Sequence, residues 1–238
     1  MRSITQSAEP VDLTNWKQTM QSSPQNLNYD NLQSEEKDAI KASLLKEQGY
    51  LCAYTMLRLR DVSDCHIEHI QPQSATAPGI DLDYTNMVAC FPKDGGNVTH
   101  GYGAPVKAGL SVTPNSNFVS PHSPNCEQRF LYSGKGHVCA AADDVAANQT
   151  IQTLRLNHNT LVDLRRRAIE AHGLTLRHSS ARRPRALKSA AEARRFAAEV
   201  MQFGADNCLE PFCVALSQVA LEYAAKEETR ARRMRAQH

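Results

Sequence analysis

The stretch Cys65-His66-Ile67-Glu68-His69-Ile70-Gln71-Pro72 decides how the chain is read. It is a short apolar run, read as a strand over His66–Ile70, with a carboxylate directly before a histidine. Pro72 stops the run, because proline brings no N–H to a ladder. Neighbours on a strand point to opposite faces. For Glu68 and His69 to serve one phosphate, the strand must end or kink between them, and Pro72 suits an ending there. Asn86 follows in Tyr84-Thr85-Asn86-Met87-Val88, where its amide can brace the intervening backbone. Phosphodiesters resist water because the attacking oxygen meets negative charge. A nuclease answers with a cation and a base. Here Glu68 can hold the cation and His69, neutral at pH 7 with an ordinary pKa of about 6.5, can take the proton. A Glu-His pair alone is also compatible with plain surface; the flanking hairpin, Pro72 and Asn86 are what raise it.

Working outward, Tyr50–Leu59 reads as the first strand of a hairpin whose turn is Asp61–Asp64 and whose return is His66–Ile70. Residues 71–81 form a loop, Tyr84–Cys90 a short helix or turn, residues 92–103 a glycine-rich loop, and a short helix starts near Ala104. Residues 1–34 are polar and irregular apart from one helix over Leu13–Met20. A helix opens at Ser34 as N-cap, with Glu35 and Glu36 in its first turn. It buries Ile40, Leu44 and Leu45 and ends at Gly49. Phe130–Tyr132 and His137–Cys139 flank Ser133-Gly134-Lys135-Gly136 as a second hairpin. Beyond Asp143 the pattern is helical, over Asp144–Leu154, His158–Ala171, Ala186–Phe203 and Glu210–Arg235, the last fraying from Lys226 onward. The fold class is therefore α+β, divided into an arm and helix (1–48), a catalytic core (49–115) and a helical, arginine-rich region (116–238).

The bulk numbers agree with a folded protein. The 238 residues are 41% hydrophobic and 22% charged, close to the globular average. No apolar stretch approaches the ~20 residues of a membrane span, and the first residues lack a secretory apolar core. We expect a cytoplasmic protein with no membrane partner, in which seven cysteines are thiols, core residues or ligands rather than disulfides. The net charge of +2 conceals a basic cluster: Arg165, Arg166, Arg167, Arg182, Arg183, Arg185, Lys188, Arg194 and Arg195, with Arg230, Arg232, Arg233 and Arg235 at the far end. Such a surface attracts phosphate backbones irrespective of sequence; a solvated helix face is the plain alternative.

Three runs carry a resemblance: Glu47-Gln48-Gly49-Tyr50-Leu51-Cys52-Ala53-Tyr54, His66-Ile67-Glu68-His69-Ile70-Gln71-Pro72 and Asp83-Tyr84-Thr85-Asn86-Met87. Together they resemble HNH endonucleases of the PtuB type, the nucleases of Septu anti-phage systems and of some retrons. The likeness continues through Tyr102-Gly103-Ala104 with Lys107, Cys126-Glu127 with Phe130 and Tyr132, and Thr150-Ile151 with Leu154-Leu156-Asn157, covering roughly residues 35–170. It implies a ββα-metal core, a divalent cation of the Mg²⁺ kind (Mn²⁺ also serving), His69 as general base, Glu68 as metal-side carboxylate and Asn86 as the middle letter of the motif. It further implies a PtuA-type ABC/SMC-like ATPase as partner, a nucleic-acid substrate, and in a retron setting a reverse transcriptase with its RNA and DNA. Lys107 joins the arginines as a nucleic-acid contact.

The chain also departs from that pattern. Thr55 stands where relatives carry the second cysteine of a Cys-x-x-Cys, and Cys90 has no such mate, which speaks against a structural zinc. Ala104 stands where the third motif letter would fall. His100, Asn97 and His66 are the candidates for that metal ligand, His100 being favoured and His66 sharing a strand face with Glu68. These losses keep a second reading open, that of a catalytically decayed nucleic-acid-binding or assembly subunit.

Overall fold

The computed structural model describes residues 1–73, 79–93, 100–107, 117–174 and 189–236. It is a mixed α+β arrangement with two small antiparallel sheets and a helical C-terminal part. Helix α1 (Val11–Met20) and helix α2 (Ser34–Glu47) come first. In α2 the N-cap is Gln33 rather than Ser34: the Gln33 N–H donates to the Glu36 carboxylate at 3.0 Å. One reciprocal bond thus occupies the side chain placed three residues into the helix. Ile40, Leu44 and Leu45 form its buried stripe. Gly49, at φ +60, ends it against the Leu209 side chain.

Strand β1 (His66–His69) pairs antiparallel with β2 (Met87–Cys90), with Glu68 opposite Val88 and His69 opposite Met87. This corrects the hairpin expected from the sequence. Tyr50–Leu59 is a tight turn joined only by a Leu51–Arg58 bridge. Met56, at φ +60, returns its N–H to Cys52 O at 2.9 Å, and the Cys52 N–H goes to Leu57 O at 2.8 Å. The true partner of β1 lies across the 70–86 loop. Its four residues are buried on both faces, and such a run shows no two-residue alternation, which is why its sequence read as a helix or turn. The outer edge of β2 is closed by a side chain. Gln48 accepts from the Ala89 N–H (2.8 Å) and donates to Ala89 O (2.9 Å) and Leu51 O (2.7 Å), while the Ala53 N–H also reaches Ala89 O (3.1 Å). Helix α3 (Ala104–Lys107) follows, giving the order strand, strand, helix.

The second sheet pairs β3 (Phe130–Tyr132) with β4 (Val138–Ala140) through the expected glycine turn. Gln218 clamps β3, accepting from the Tyr132 N–H and donating to Phe130 O, both at 2.8 Å. Asp144 caps α4 (Val145–Thr153) and takes a two-pronged bond from Arg129. His158 caps α5 (Asn159–Ala171), while Asn157 ties itself to both backbone groups of Val138. Helices α6 (Ala190–Glu199) and α7 (Cys213–Ala236) close the fold. Helix α7 stays helical through the segment expected to fray, where Glu228 pairs with Arg194 on α6 and Lys226 with Glu222. Pairs one turn apart and between helices offset the lack of burial there.

One apolar core runs from Leu13 through Leu45, Leu51, Ala104, Phe130 and Leu161 to Ala215, joining all three segments drawn from the sequence. A smaller cluster of Ile169, Leu174, Ala197, Leu216, Val219 and Ala220 lies between α5, α6 and α7. Among the described residues no helix is long and apolar enough to cross a membrane.

Candidate active site

Strand β1 alternates as its geometry requires. His66 and Glu68 are partly exposed on one face; Ile67 and His69 are buried on the other. His69 is the last residue of the strand, and the Ile70 N–H still reaches Asn86 O at 2.8 Å. The strand thus ends after the Glu68–His69 pair rather than between its members, which corrects the break expected from the sequence: the two side chains leave β1 on opposite faces.

Asn86 is buried and spends its whole amide on the loop. Its Oδ1 accepts from the Gln71 N–H at 2.7 Å, and its Nδ2 donates to Gln71 O (3.0 Å) and Ile80 O (3.1 Å). Both ends of the 70–86 loop are thereby fixed to one side chain. The loop in turn holds His69, whose Nε2 lies 2.9 Å from Asp81 O. A carbonyl only accepts, so Nε2 carries the proton and Nδ1 keeps its lone pair. Gln73 Nε2 donates to that lone pair at 3.1 Å. Tyr29 meets the imidazole edge-on at 4.7 Å, and its N–H is held by the Asp81 carboxylate at 2.8 Å. The ring is 6% exposed. Burial lowers its pKa, against the opposing pull of Asp81 and the Glu68 charge, so the imidazole is neutral at pH 7.

On the other face, Glu68 lies between two nitrogen groups. Lys107 Nζ donates to Glu68 Oε1 at 2.7 Å and to His69 O at 2.6 Å. His66 Nε2 stands 3.6 Å from Glu68 Oε2, while its Nδ1 donates to Pro92 O. Burial by itself raises the Glu68 pKa; His66 and Lys107 outweigh it and hold the carboxyl below the usual range. A histidine whose far nitrogen is tied to a backbone carbonyl is oriented as metal-ligating histidines are. His66 Nε2 and Glu68 Oε2 therefore stand as two potential metal donors on one strand face, with an ammonium on the remaining carboxylate oxygen.

The other sequence candidates fall elsewhere. Among the described residues no three His, Cys, Asp or Glu side chains are placed to share a metal, so His100 does not complete the His66–Glu68 pair. Its ring lies in a row with Phe91 (4.6 Å), Tyr102 (5.8 Å) and, beyond Tyr102, His158. Asn97 lies outside the described residues, as do Arg182 and Arg183. Lys107, at 5% exposed, is turned inward rather than toward solvent. Arg165 is no surface cation either. It is buried beneath Tyr132 and donates to Leu156 O and Leu161 O, because the inner face of α5 carries it into the core. Arg166 and Arg167 remain outside but are engaged by Asp163 and Glu170. Cys52 and Cys90 meet behind β2. Burial raises both, but the Cys90 thiol, Thr55 and the Phe91 N–H bring Cys52 down to about 6.

Three contributors gave no signal in the sequence. Asp81 acts through its carbonyl, which every residue possesses. Gln73 and Tyr29 reach His69 through chain reversals that no local pattern encodes. Lys107 was visible, but as a surface charge. No protein-family model matches the chain, and no curated protein matches it.

Proposed function

We propose that the chain is a divalent-cation-dependent HNH endonuclease with β1, β2 and α3 as its ββα-metal unit. The observation that carries this reading is the state of His69: a neutral imidazole, locked at Nε2 by the Asp81 carbonyl, with its basic Nδ1 held by the Gln73 amide beside a loop that Asn86 pins at both ends. That is what a general base requires, since misplacing it by ~1 Å can cost about 100-fold in rate. Nδ1 takes a proton from water as Gln73 releases it, and the water attacks phosphorus in line with the leaving 3′ oxygen. His66 Nε2 and Glu68 Oε2 are the groups that would hold a cation, Mg²⁺ or Mn²⁺, which when bound would supply charge neutralisation at the phosphate. Exposed arginines such as Arg166 and Arg167 supply sequence-independent attraction for DNA or RNA. By the resemblance described above, the setting is a cytoplasmic anti-phage complex with a PtuA-type ABC/SMC-like ATPase, in some cases beside a retron reverse transcriptase.

The test uses the purified chain with Mg²⁺ or Mn²⁺, with and without that ATPase, on plasmid, single-stranded DNA and total RNA. We expect cleavage of one substrate class and its loss by at least about 100-fold in His69→Ala, with the fold of the variant retained by circular dichroism. Equal rates in the two proteins would sink the assignment. The ammonium on Glu68, and the departure of Glu68 and His69 on opposite strand faces, favour the second reading, a decayed subunit. It is recognised by salt-sensitive nucleic-acid binding without cleavage under any metal.

A further inference from the structure

The charge balance around Glu68 has its own consequence, which rests on the nuclease reading above. The carboxylate carries one negative charge, Lys107 one positive charge, and the two are in direct contact at 2.7 Å in a largely buried place. Lys107 is doubly held, because its second bond goes to His69 O, so it is part of the site's frame rather than a passing surface contact. The two-donor set of His66 Nε2 and Glu68 Oε2 is on the same carboxylate. A divalent ion seated there stands about a carboxylate's width from an ammonium, and like charges at that range repel strongly where water is scarce. Net charge is what draws a hard cation to oxygen ligands, and here the protein supplies almost none.

We infer that Lys107 sets the cation affinity of the His66–Glu68 pair, so that the free chain binds a divalent ion weakly and the ion and the phosphate of the substrate bind together. The phosphate provides the negative charge that Lys107 cancels. By reciprocity, the ion strengthens phosphate binding by the same factor as the phosphate strengthens ion binding. Such a site is idle in a cell full of Mg²⁺ until nucleic acid is delivered to it. Lys107 is here a positioning residue. It acts through Glu68 and reaches no reacting atom itself.

The experiment is a Mn²⁺ titration of the full chain without nucleic acid, read by electron paramagnetic resonance, for wild type, Lys107→Met, Lys107→Gln and Glu68→Gln. Folding of each is checked by circular dichroism. We expect weak binding in wild type that Glu68→Gln barely alters. Removing the ammonium should tighten binding at least about tenfold in whichever neutral variant folds, and this gain should vanish when Glu68→Gln is added to it. Unchanged affinity in a folded Lys107 variant overturns the inference, as does a gain that survives loss of Glu68. Tight wild-type binding abolished by Glu68→Gln overturns it without recourse to the Lys107 variants. Because the readout is ion binding, a chain that cuts no substrate refutes the nuclease reading while leaving this result to stand or fall separately. A nuclease-resistant phosphorothioate oligonucleotide then measures the coupling: we expect Mn²⁺ to bind at least about tenfold more tightly in its presence, and no gain overturns the joint binding of ion and phosphate.

Discussion

Asn86 shows how one side chain can hold a loop to a strand. Its replacement by alanine strands the Gln71 N–H and two carbonyls. A buried polar group without a partner costs about 1–3 kcal/mol, so Asn86→Ala should lower stability by that order, measured by urea unfolding, and loosen His69 with it. His69 gives a pH dependence of definite sign. Burial depresses its pKa, so the unfolded chain takes up a proton first as pH falls below about 6.5. Stability from the buried neutral ring is complete above that value and declines as pH drops toward the folded pKa. His122 is also depressed by burial and acts in the same sense. The His69 share is therefore the difference in melting temperature between wild type and His69→Ala across pH 7 to 5, expected to shrink on acidification. At this scale the sequence was legible where a residue acts through its own side chain and local position, as Asn86 does in bracing the loop backbone. It was opaque where the partner is a carbonyl, as with Asp81, or a distant arm, as with Tyr29.

Elements were legible in proportion to their amphipathic period. Helices α2, α4 and α5 bury stripes at helical spacing with side-chain caps near their predicted starts, and the β3–β4 turn follows from its glycines. Strand β2 was missed because a strand buried on both faces has no period to read, and the pairing of β1 was misassigned as a result. The β3–β4 turn also makes a strong demand. Gly136 has φ +85, and a Cβ there would sit 2.2 Å from Val162 O on α5. Backbone cannot yield as a flexible side chain can, and L residues avoid that conformation. Gly136→Ala should therefore destabilise the protein by more than 1 kcal/mol, read as a lowered denaturation midpoint, whereas Gly134→Ala, whose nearest neighbour is a Val219 methyl at 3.9 Å, should be mild.

In the whole molecule, the basic character seen in the sequence divides on folding. Arg165 and Lys107 become internal struts bonded to backbone carbonyls, and among the described residues Arg166, Arg167, Arg194, Arg195 and Arg230 pair with acids about one turn away or on the facing helix. Composition records how many cations a chain has; only the tertiary arrangement decides which of them a phosphate can meet. Nucleic-acid affinity should therefore respond to Arg166→Ala and Arg167→Ala through its salt dependence, while Arg165→Ala should act through unfolding, separable by measuring binding and melting on the same samples.

The amide of Gln48, bonded to both backbone groups of Ala89, fills the place a third strand would take. A bare sheet margin invites pairing with another copy, and this one belongs to a strand buried along all four of its residues. Gln48→Leu keeps the bulk but unseals that margin, so the variant should self-associate during refolding, visible as light scattering that rises with protein concentration. The glutamine amide, with the Ala53 N–H on the same carbonyl, thus stands where a foreign strand would otherwise dock.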